Sequence, residues 1–556
     1  MLNAAGSGIL SLPFTAVDTI PQNPLPPGPS STAPASDTPA STGESGAGAL
    51  NRPAKSDSDS YFRTDHLRER VGSRVIRGGA ITLISQGAQF FISMAGTVVL
   101  ARLLTPRDYG LIGMVTVVTG FLTMFKDMGL SQATIQREEL THGQTSNLFW
   151  VNVAASTFIA LVTILLAPLI ARFYDEPRLA YITMALGGGF IFGGFTVQHQ
   201  ALLRRQMRFG LLAASSIIAA VAGLAVGIFL AWHGAEYWAL VGQQLTVALA
   251  TAITVWIFCG WRPALPSRGS GVRELLAFGG NVTGFNVVNY FARNGDNLLI
   301  GKVWGSAPLG LYEKAYQLLL LPLNQINYPV SAVLVPTLSR LANEPERYRA
   351  AFLRALEKLL MVTMPGIVFL MVTSDWVVSV VLGPQWTEAA KIFAWLAVAG
   401  FLQPVGSTTG WLFVSQNRTR TMLHWGFIGS ATAIISIVIG LPWGALGVAM
   451  SYGLIGFFVR TPLNLWYVGR EGPVRTRDFY VTMAPFALSA LCAGAAVLVY
   501  RWLVAPSNPL IGLIVSFAIA APVAVGVMAL TRAGRNAIRD MIHSLAHLRP
   551  SRGAEA

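Results

Sequence analysis

A chain of 556 residues that is 53% hydrophobic and only 12% charged, with a mean hydropathy of +0.53, has too few charges to solvate a globular surface of its size and belongs in a bilayer. Its net charge of +14 is scattered in short groups between apolar runs, a topology pattern and not the continuous basic face of a nucleic-acid binder. The two cysteines, Cys259 and Cys492, are far apart and lie in or beside apolar runs, which suggests neither a disulfide framework nor a thiolate metal cluster.

The first sixty residues are rich in Pro, Ser, Ala, Gly and Thr and have no apolar period, so 1–60 reads as a disordered tail. It has no basic start and only a short apolar run near Ile9 to Phe14, which does not make a signal peptide. Residues 61–77 form a basic segment with Arg63, Arg68, Arg70, Arg74 and Arg77. A helix needs about twenty apolar residues to cross the hydrocarbon, and fourteen such spans are expected. Six lie near 78–102, 109–129, 147–171, 179–200, 210–231 and 237–259; six more lie near 275–303, 309–335, 351–373, 387–412, 421–441 and 444–467; two follow near 479–502 and 508–530. The expected fold is therefore an all-α integral membrane protein of about 14 transmembrane helices. It divides into a first six-helix bundle over 78–271, a second over 272–467, an extra helix pair over 468–530 and a basic tail over 531–556.

Lys and Arg collect in alternate loops, among them Arg204, Arg205 and Arg208, then Arg340, Arg347 and Arg349, then Arg470, Arg475 and Arg477. Because cytoplasmic loops are enriched in these residues, both termini are expected in the cytoplasm, and an even number of spans follows. Leu341 to Lys358 reads as an amphipathic linker running into the ninth span, and the glycines of 187–194 read as small faces for close helix contact.

The two bundles are copies. Gly79 to Gly110 aligns without a gap onto Gly279 to Gly310, two hundred residues later, with Gln86 on Asn286, Gln89 on Asn289, Arg102 on Lys302 and Gly110 on Gly310. Each copy has an even number of spans, so both enter from the same side and form parallel repeats about an axis along the membrane normal. In the second copy Asn286, Asn289, Arg293 and Asp296 are three, four and three residues apart, which puts them on one helical stripe. The polar stripes of the first and seventh helices are expected to line a central cleft.

The repeat, the fourteen spans and the strings VLARLLTPRDYGLIGM, FKDMGLSQATIQREE and GDNLLIGKVWGSAPLGLYEKAYQLLLLPLNQI resemble the polysaccharide-export branch of the multidrug/oligosaccharidyl-lipid/polysaccharide exporter superfamily. The likeness is greatest to Wzx-type lipid-linked oligosaccharide flippases, over roughly Ser73 to Arg532. The resemblance implies a multi-pass inner-membrane protein that moves an undecaprenyl-diphosphate-linked sugar repeat unit to the periplasmic leaflet by alternating access, on an ion gradient and without ATP. Its expected partners are that lipid-linked oligosaccharide, membrane lipid and other polysaccharide-assembly proteins, with no nucleic acid and no cofactor.

A diphosphate-linked sugar needs cations for its phosphates and amides or carboxylates for its hydroxyls, in a site shielded from lipid. The candidates are Arg293, Asp296, Asn286, Asn289, Gln86, Gln89 and Lys314. A charge at mid-membrane costs about 2.5 to 3.5 kcal/mol on insertion scales, which argues for use; the purely structural alternative is an Arg293–Asp296 pair that cancels itself. Lys314 stands beside Glu313, and snorkelling is its bland reading. Arg102 and Lys302 read first as interfacial anchors. Pro322 and Pro329, seven residues apart in the eighth span, remove ladder donors and mark a hinge.

Enzyme chemistry has no support: the sequence contains neither a G-x-x-x-x-G-K-[ST] loop nor H-E-x-x-H, and no metal site is expected. A polymerase or ligase of the same pathway would expose a large outer loop, whereas the longest outer connection here, Ser374 to Thr387, is short. A drug/cation antiporter of the same superfamily is the alternative reading. It would favour carboxylates in its cleft, whereas this cleft offers amides, Arg and few acids.

Overall fold

The computed structural model describes residues 71–127, 131, 134–135, 140–266, 290 and 293–547. The expected tail over 1–60, most of the basic segment 61–77 and the larger part of the seventh span, with Asn286 and Asn289, lie outside the described residues. Among the described residues every regular element is helical. Six helices make the first half: α1 (Val71–Leu103), α2 (Pro106–Asp127), α3 (His142–Tyr174), α4 (Arg178–Arg205), α5 (Phe209–Trp232) and α6 (Trp238–Phe258). The seventh, α7, is described at 290 and over 293–304. Then come α8 (Ser306–Arg340), α9 (Pro345–Val372), the short α10 (Ser374–Val381), α11 (Thr387–Ser415) and α12 (Thr419–Gly440). The chain continues through α13 (Gly444–Ile455), a π-helical turn over Gly456–Arg460 and α14 (Thr461–Gly469). It ends with α15 (Thr476–Val504), α16 (Pro509–Leu530) and α17 (Arg532–His547).

Among the described residues eleven helices are long and apolar enough to cross a bilayer, or twelve with the bent α8 as one span. One of the eleven, the 51-residue run Thr419–Gly469, folds back on itself. The chain turns through Leu441–Trp443 to Gly444 at φ +75, and Ser451 Oγ donates to the Ser436 carbonyl at 2.6 Å. Gly440 and Gly447 meet there so closely that neither has room for a Cβ. The count of fourteen further depends on α7, only part of which is described.

Local chemistry explains where the helices start and stop. Thr141 caps α3 with its hydroxyl on the Gln144 N–H while Gln144 reaches back to the Thr141 N–H, a reciprocal capping box. Asn508 accepts the Leu510 N–H at 2.9 Å and Pro509 follows at the first helical position of α16. In lipid there is no hydrophobic gain from bringing helices together, so small residues that let backbones approach supply the packing. Gly187 and Gly194 of α4 sit against Thr163 and Ser156 of α3, and Gly189 against Leu245 of α6. Gly188, expected on the same small face, meets nothing within 4 Å.

Three buried clusters result. The largest joins the two halves, combining Leu100, Tyr109, Leu111, Met114 and Val115 with Ile300, Leu309, Tyr312, Leu318, Trp386 and Phe393. A second fills the space between α9, α11, α14, α15 and α16, with Phe352, Leu356, Phe413, Phe479 and Phe486 fully enclosed. The third pins the segment after α6 to the first half: Trp261, 1% exposed, inserts among Phe149, Leu202 and Val255. Trp150 Nε1 donates to the Ala264 carbonyl at 2.8 Å, and the Ala264 N–H donates to Ser146 Oγ at 3.0 Å. The extra pair α15 and α16 packs beside α9 and α10, with Gly494 against Val368, Gly512 against Trp376, and Arg501 bonded to Asp375 at 2.7 Å.

Candidate functional site

The two halves meet where the first turns of α2 and α8 cross. The turn before α2 is built by Thr105 and Asp108: the Asp108 carboxylate accepts the Thr105 N–H at 2.9 Å and the Thr105 hydroxyl at 2.6 Å. Pro106 stands at the first helical position, where a missing N–H costs nothing. Four residues on, a Cβ at Gly110 would overlap the Ser306 carbonyl, and a Cβ at Gly310 would overlap the Pro106 carbonyl. These contacts are the same contact taken twice, since Pro106 and Gly110 fall on Ser306 and Gly310 under the two-hundred-residue offset. Only two glycines allow the backbones so close.

Around this crossing the halves are tied by side chains. Arg102 Nη2 donates to the Val380 carbonyl at 2.8 Å, while Gln385 Nε2 and Trp386 Nε1 donate to the Ala101 carbonyl at 2.6 and 2.8 Å. Lys302 Nζ reaches Asp175 Oδ2 at 2.8 Å and lies 5.4 Å from the centre of the Phe173 ring. Arg102 and Lys302, which the sequence presents as interfacial anchors at matching positions, each bind the opposite half in the structure.

Below the crossing, α8 carries a run of polar side chains that diverge. Tyr312 OH donates to Asp296 Oδ2 at 3.0 Å, and the Asn297 N–H donates to Asp296 Oδ1 at 2.9 Å. The Asp296 carboxyl is buried, 6% exposed. Glu313 points the other way, with its Oε2 in the notch left by Gly113 of α2. Lys314, 8% exposed, lies 3.9 Å from the centre of the Tyr109 ring and donates to Gln317 Oε1 at 3.0 Å, so the charge is offset by a π face and an amide. Tyr316 stacks on Tyr312, with ring centroids 6.2 Å apart. Its hydroxyl lies within electrostatic range of Tyr452, Asp296, Arg293 and Arg460. Arg460 in turn covers the Tyr452 ring at 4.2 Å from the π-helical turn, a local widening that often marks a functional position.

The sequence-derived candidates are thus only partly brought together. Asp296 is held by Tyr312, whereas Arg293 is exposed and lies only within electrostatic range of Tyr316, and among the described residues the two form no ion pair with each other. Gln86 and Gln89 are half-buried on α1, which packs on α5 through Gly96 and Leu224. Asn286 and Asn289 lie outside the described residues. Pro322 lies within α8, and the helix bends by 42° between Asn327 and Pro329, where Pro329 lacks the N–H that would bond to Gln325. Tyr312, Tyr316, Tyr452 and Arg460 were not singled out from the sequence. The signal for Arg460 was present, a lone cation following Phe457, Phe458 and Val459. The tyrosines had none beyond their spacing. Among the described residues no group of three His, Cys, Asp or Glu could hold a metal ion.

A family of polysaccharide biosynthesis proteins matches residues 99–391, just over half of the chain. The chain is 25% identical over 396 residues to the lipopolysaccharide biosynthesis protein WzxC of Escherichia coli (strain K12), covering 70% of this chain and 79% of that protein. It is 26% identical over 427 residues to the teichuronic acid biosynthesis protein TuaB of Bacillus subtilis (strain 168), covering 76% and 88%. The succinoglycan biosynthesis transport protein ExoT of Rhizobium meliloti (strain 1021) is 23% identical over 429 residues, covering 75% and 85%. The fold is that of the lipid II flippase MurJ in an inward closed conformation, with a TM-score of 0.67 at 15% identity over 84% of this chain and 100% of that one. An inward-facing multidrug resistance MATE transporter follows with a TM-score of 0.55 at 15% identity, over 71% and 96%. With its multi-pass helical fold and this match, the chain belongs to the polysaccharide biosynthesis protein family.

Proposed function

We propose that this protein flips undecaprenyl-diphosphate-linked oligosaccharide repeat units across the inner membrane for exopolysaccharide or other surface-polysaccharide assembly. The observation that carries the reading is the charged group on α7 and α8, Arg293, Asp296, Glu313 and Lys314, set within membrane helices beside the crossing of the two halves. Cations there suit a diphosphate, and carboxylates and amides suit sugar hydroxyls. The biosynthetic names of the relatives and the MurJ fold support the same reading. In this proposal residues 78–271 and 272–467 are the two moving halves, both termini are cytoplasmic, and the Arg102–Lys302 end is periplasmic and shut. Arg293 and Lys314 receive the diphosphate, Gln86, Gln89, Asn286 and Asn289 read hydroxyls, and the bend at Pro329, with Pro322 above it, serves as the hinge. Opening breaks the Lys302–Asp175 and Arg102–Val380 contacts, driven by an ion gradient that acts through Asp296. No covalent chemistry is involved.

The MATE fold is shared by drug antiporters, so the fold does not separate the two readings; of the two cations and two carboxylates, Asp296 is bonded to Tyr312 and Glu313 lies in the Gly113 notch, while Arg293 is exposed, which favours an anionic cargo over a cationic one. The test is Arg293→Ala in the producing bacterium. Lipid-linked oligosaccharide accumulates on the cytoplasmic leaflet, polymer output falls about tenfold or more, and Arg293→Lys restores it only in part because a point charge lacks the planar fork. Normal polymer output from well-expressed Arg293→Ala protein contradicts the assignment. A deletion strain that only gains sensitivity to cationic dyes supports the antiporter.

A further inference from the structure

The last membrane helix, α16, ends at Leu530, 80% exposed, and after one extended residue, Thr531, the chain enters α17. That helix does not trail away. Thr531 Oγ accepts the Gly534 N–H at 3.0 Å, and Arg535 Nη1 donates to the Ala529 and Leu530 carbonyls at 3.0 and 3.3 Å, closing the last turn of α16. Ala537 is 1% exposed, and Ile538 and Met541 pack into the cluster between α9, α15 and α16. The helix is therefore fixed against the ends of the membrane helices, at the level where hydrocarbon gives way to headgroups.

Its other face is distinct. Arg532, Arg535, Arg539 and Ile542 follow at spacings of three, four and three residues and form one exposed stripe. Among the described residues no carboxylate forms an ion pair with any of the three arginines. Between this stripe and the end of α16 lies a cavity of about 290 Å³ lined by Ala529, Arg535, Ile538, Arg539 and Ile542. It combines two guanidiniums with an apolar wall, and Ile542 is 62% exposed beside it. On the far side of α17 a second cavity of about 290 Å³ is lined by Ala351, Arg354, Ala355, Lys358 and Asp540, and its carboxylate makes it less suited to an anion.

We infer that the cavity at Arg535 and Arg539 binds one anionic phospholipid of the surrounding bilayer, with the headgroup phosphate between the two guanidiniums and the start of the acyl chains along Ala529 and Ile542. The arginines match the phosphate in charge and geometry. The apolar wall opening toward the exposed end of α16 selects a lipid over a free phosphate ion. The site is separate from the charged group on α7 and α8 and does not depend on what that group transports.

Native mass spectrometry of the full-length protein titrated with phosphatidylglycerol and with phosphatidylcholine tests the site. One phosphatidylglycerol is retained in preference to phosphatidylcholine. Arg535→Gln with Arg539→Gln weakens it about tenfold or more, at roughly 1 kcal/mol per basic residue near a membrane surface. Because Arg535 also closes α16, Arg539→Gln alone provides a variant that leaves that contact in place, and it weakens binding several-fold. Ile542→Gln weakens binding too, whereas Arg354→Gln with Lys358→Gln does not. The site is refuted if phosphatidylglycerol and phosphatidylcholine are retained alike, if Arg539→Gln binds as the unaltered protein does, or if millimolar inorganic phosphate displaces the lipid completely.

Discussion

Asp296 shows what a residue's neighbours add to its place in the sequence. A carboxyl in an apolar span is conspicuous, and its spacing from Arg293 left two readings, a substrate-binding stripe or a pair that cancels itself. The structure instead buries it against Tyr312, which comes sixteen residues later, after the turn at Gly305 has returned the chain alongside. No periodicity within one helix encodes that partner. Arg102 and Lys302 were legible as a matched pair, but their cross-half partners Val380 and Asp175 depend on how helix ends meet in space. Tyr312→Phe removes a donor to a buried carboxyl and lowers stability by about 1.5 to 3 kcal/mol, the usual range for a hydrogen bond to a charged group. The measurement is the thermal unfolding midpoint in detergent. Asp296→Asn keeps an oxygen for Tyr312 and costs less, yet removes the charge. Flipping by the Asn variant no longer responds to an imposed proton or sodium gradient; an unchanged response assigns Asp296 a structural role.

At the scale of elements, the apolar windows located the membrane helices to within a few residues for most of the chain, because an uninterrupted apolar run of about twenty residues is a strong signal. The misses are of other lengths. Ser374–Val381, read as part of a loop, is an eight-residue helix with Trp376 and Val378 buried, and Arg532–His547, read as a basic tail, is a packed amphipathic helix. Neither crosses the membrane, so a hydropathy window passes over both. The Gly110–Gly310 alignment was visible as a repeat, but its meaning was not: the two residues lie at one reciprocal contact between α2 and α8. Gly110→Ala and Gly310→Ala each force that contact apart at a cost of about 1 to 3 kcal/mol. Because the contact is symmetric, both shift the protein by a similar amount toward the state open at this end. A cysteine placed at Ala101, fully buried at this end, in a background with Cys259 and Cys492 replaced by Ser, reports the shift as about tenfold faster labelling by a membrane-impermeant maleimide. Unchanged labelling in both variants means that the crossing is not the gate.

For the whole molecule, the twofold repeat was readable from a two-hundred-residue offset, and the structure contains a contact that obeys the same offset. The arrangement of the first and seventh helices about a cleft rests on residues beyond those described and stays part of the proposal. Its central claim is gradient-driven flipping of a lipid-linked anion, and transport in a closed vesicle tests that most directly. Purified protein is reconstituted with undecaprenyl-diphosphate-linked oligosaccharide, and an added glycosidase or lectin that cannot cross the membrane reads how much glycan is exposed outside. An imposed proton or sodium gradient without ATP increases the exposed fraction, and Arg293→Ala abolishes the increase. Flipping that requires ATP and ignores both gradients, or that proceeds equally in protein-free vesicles, contradicts the account.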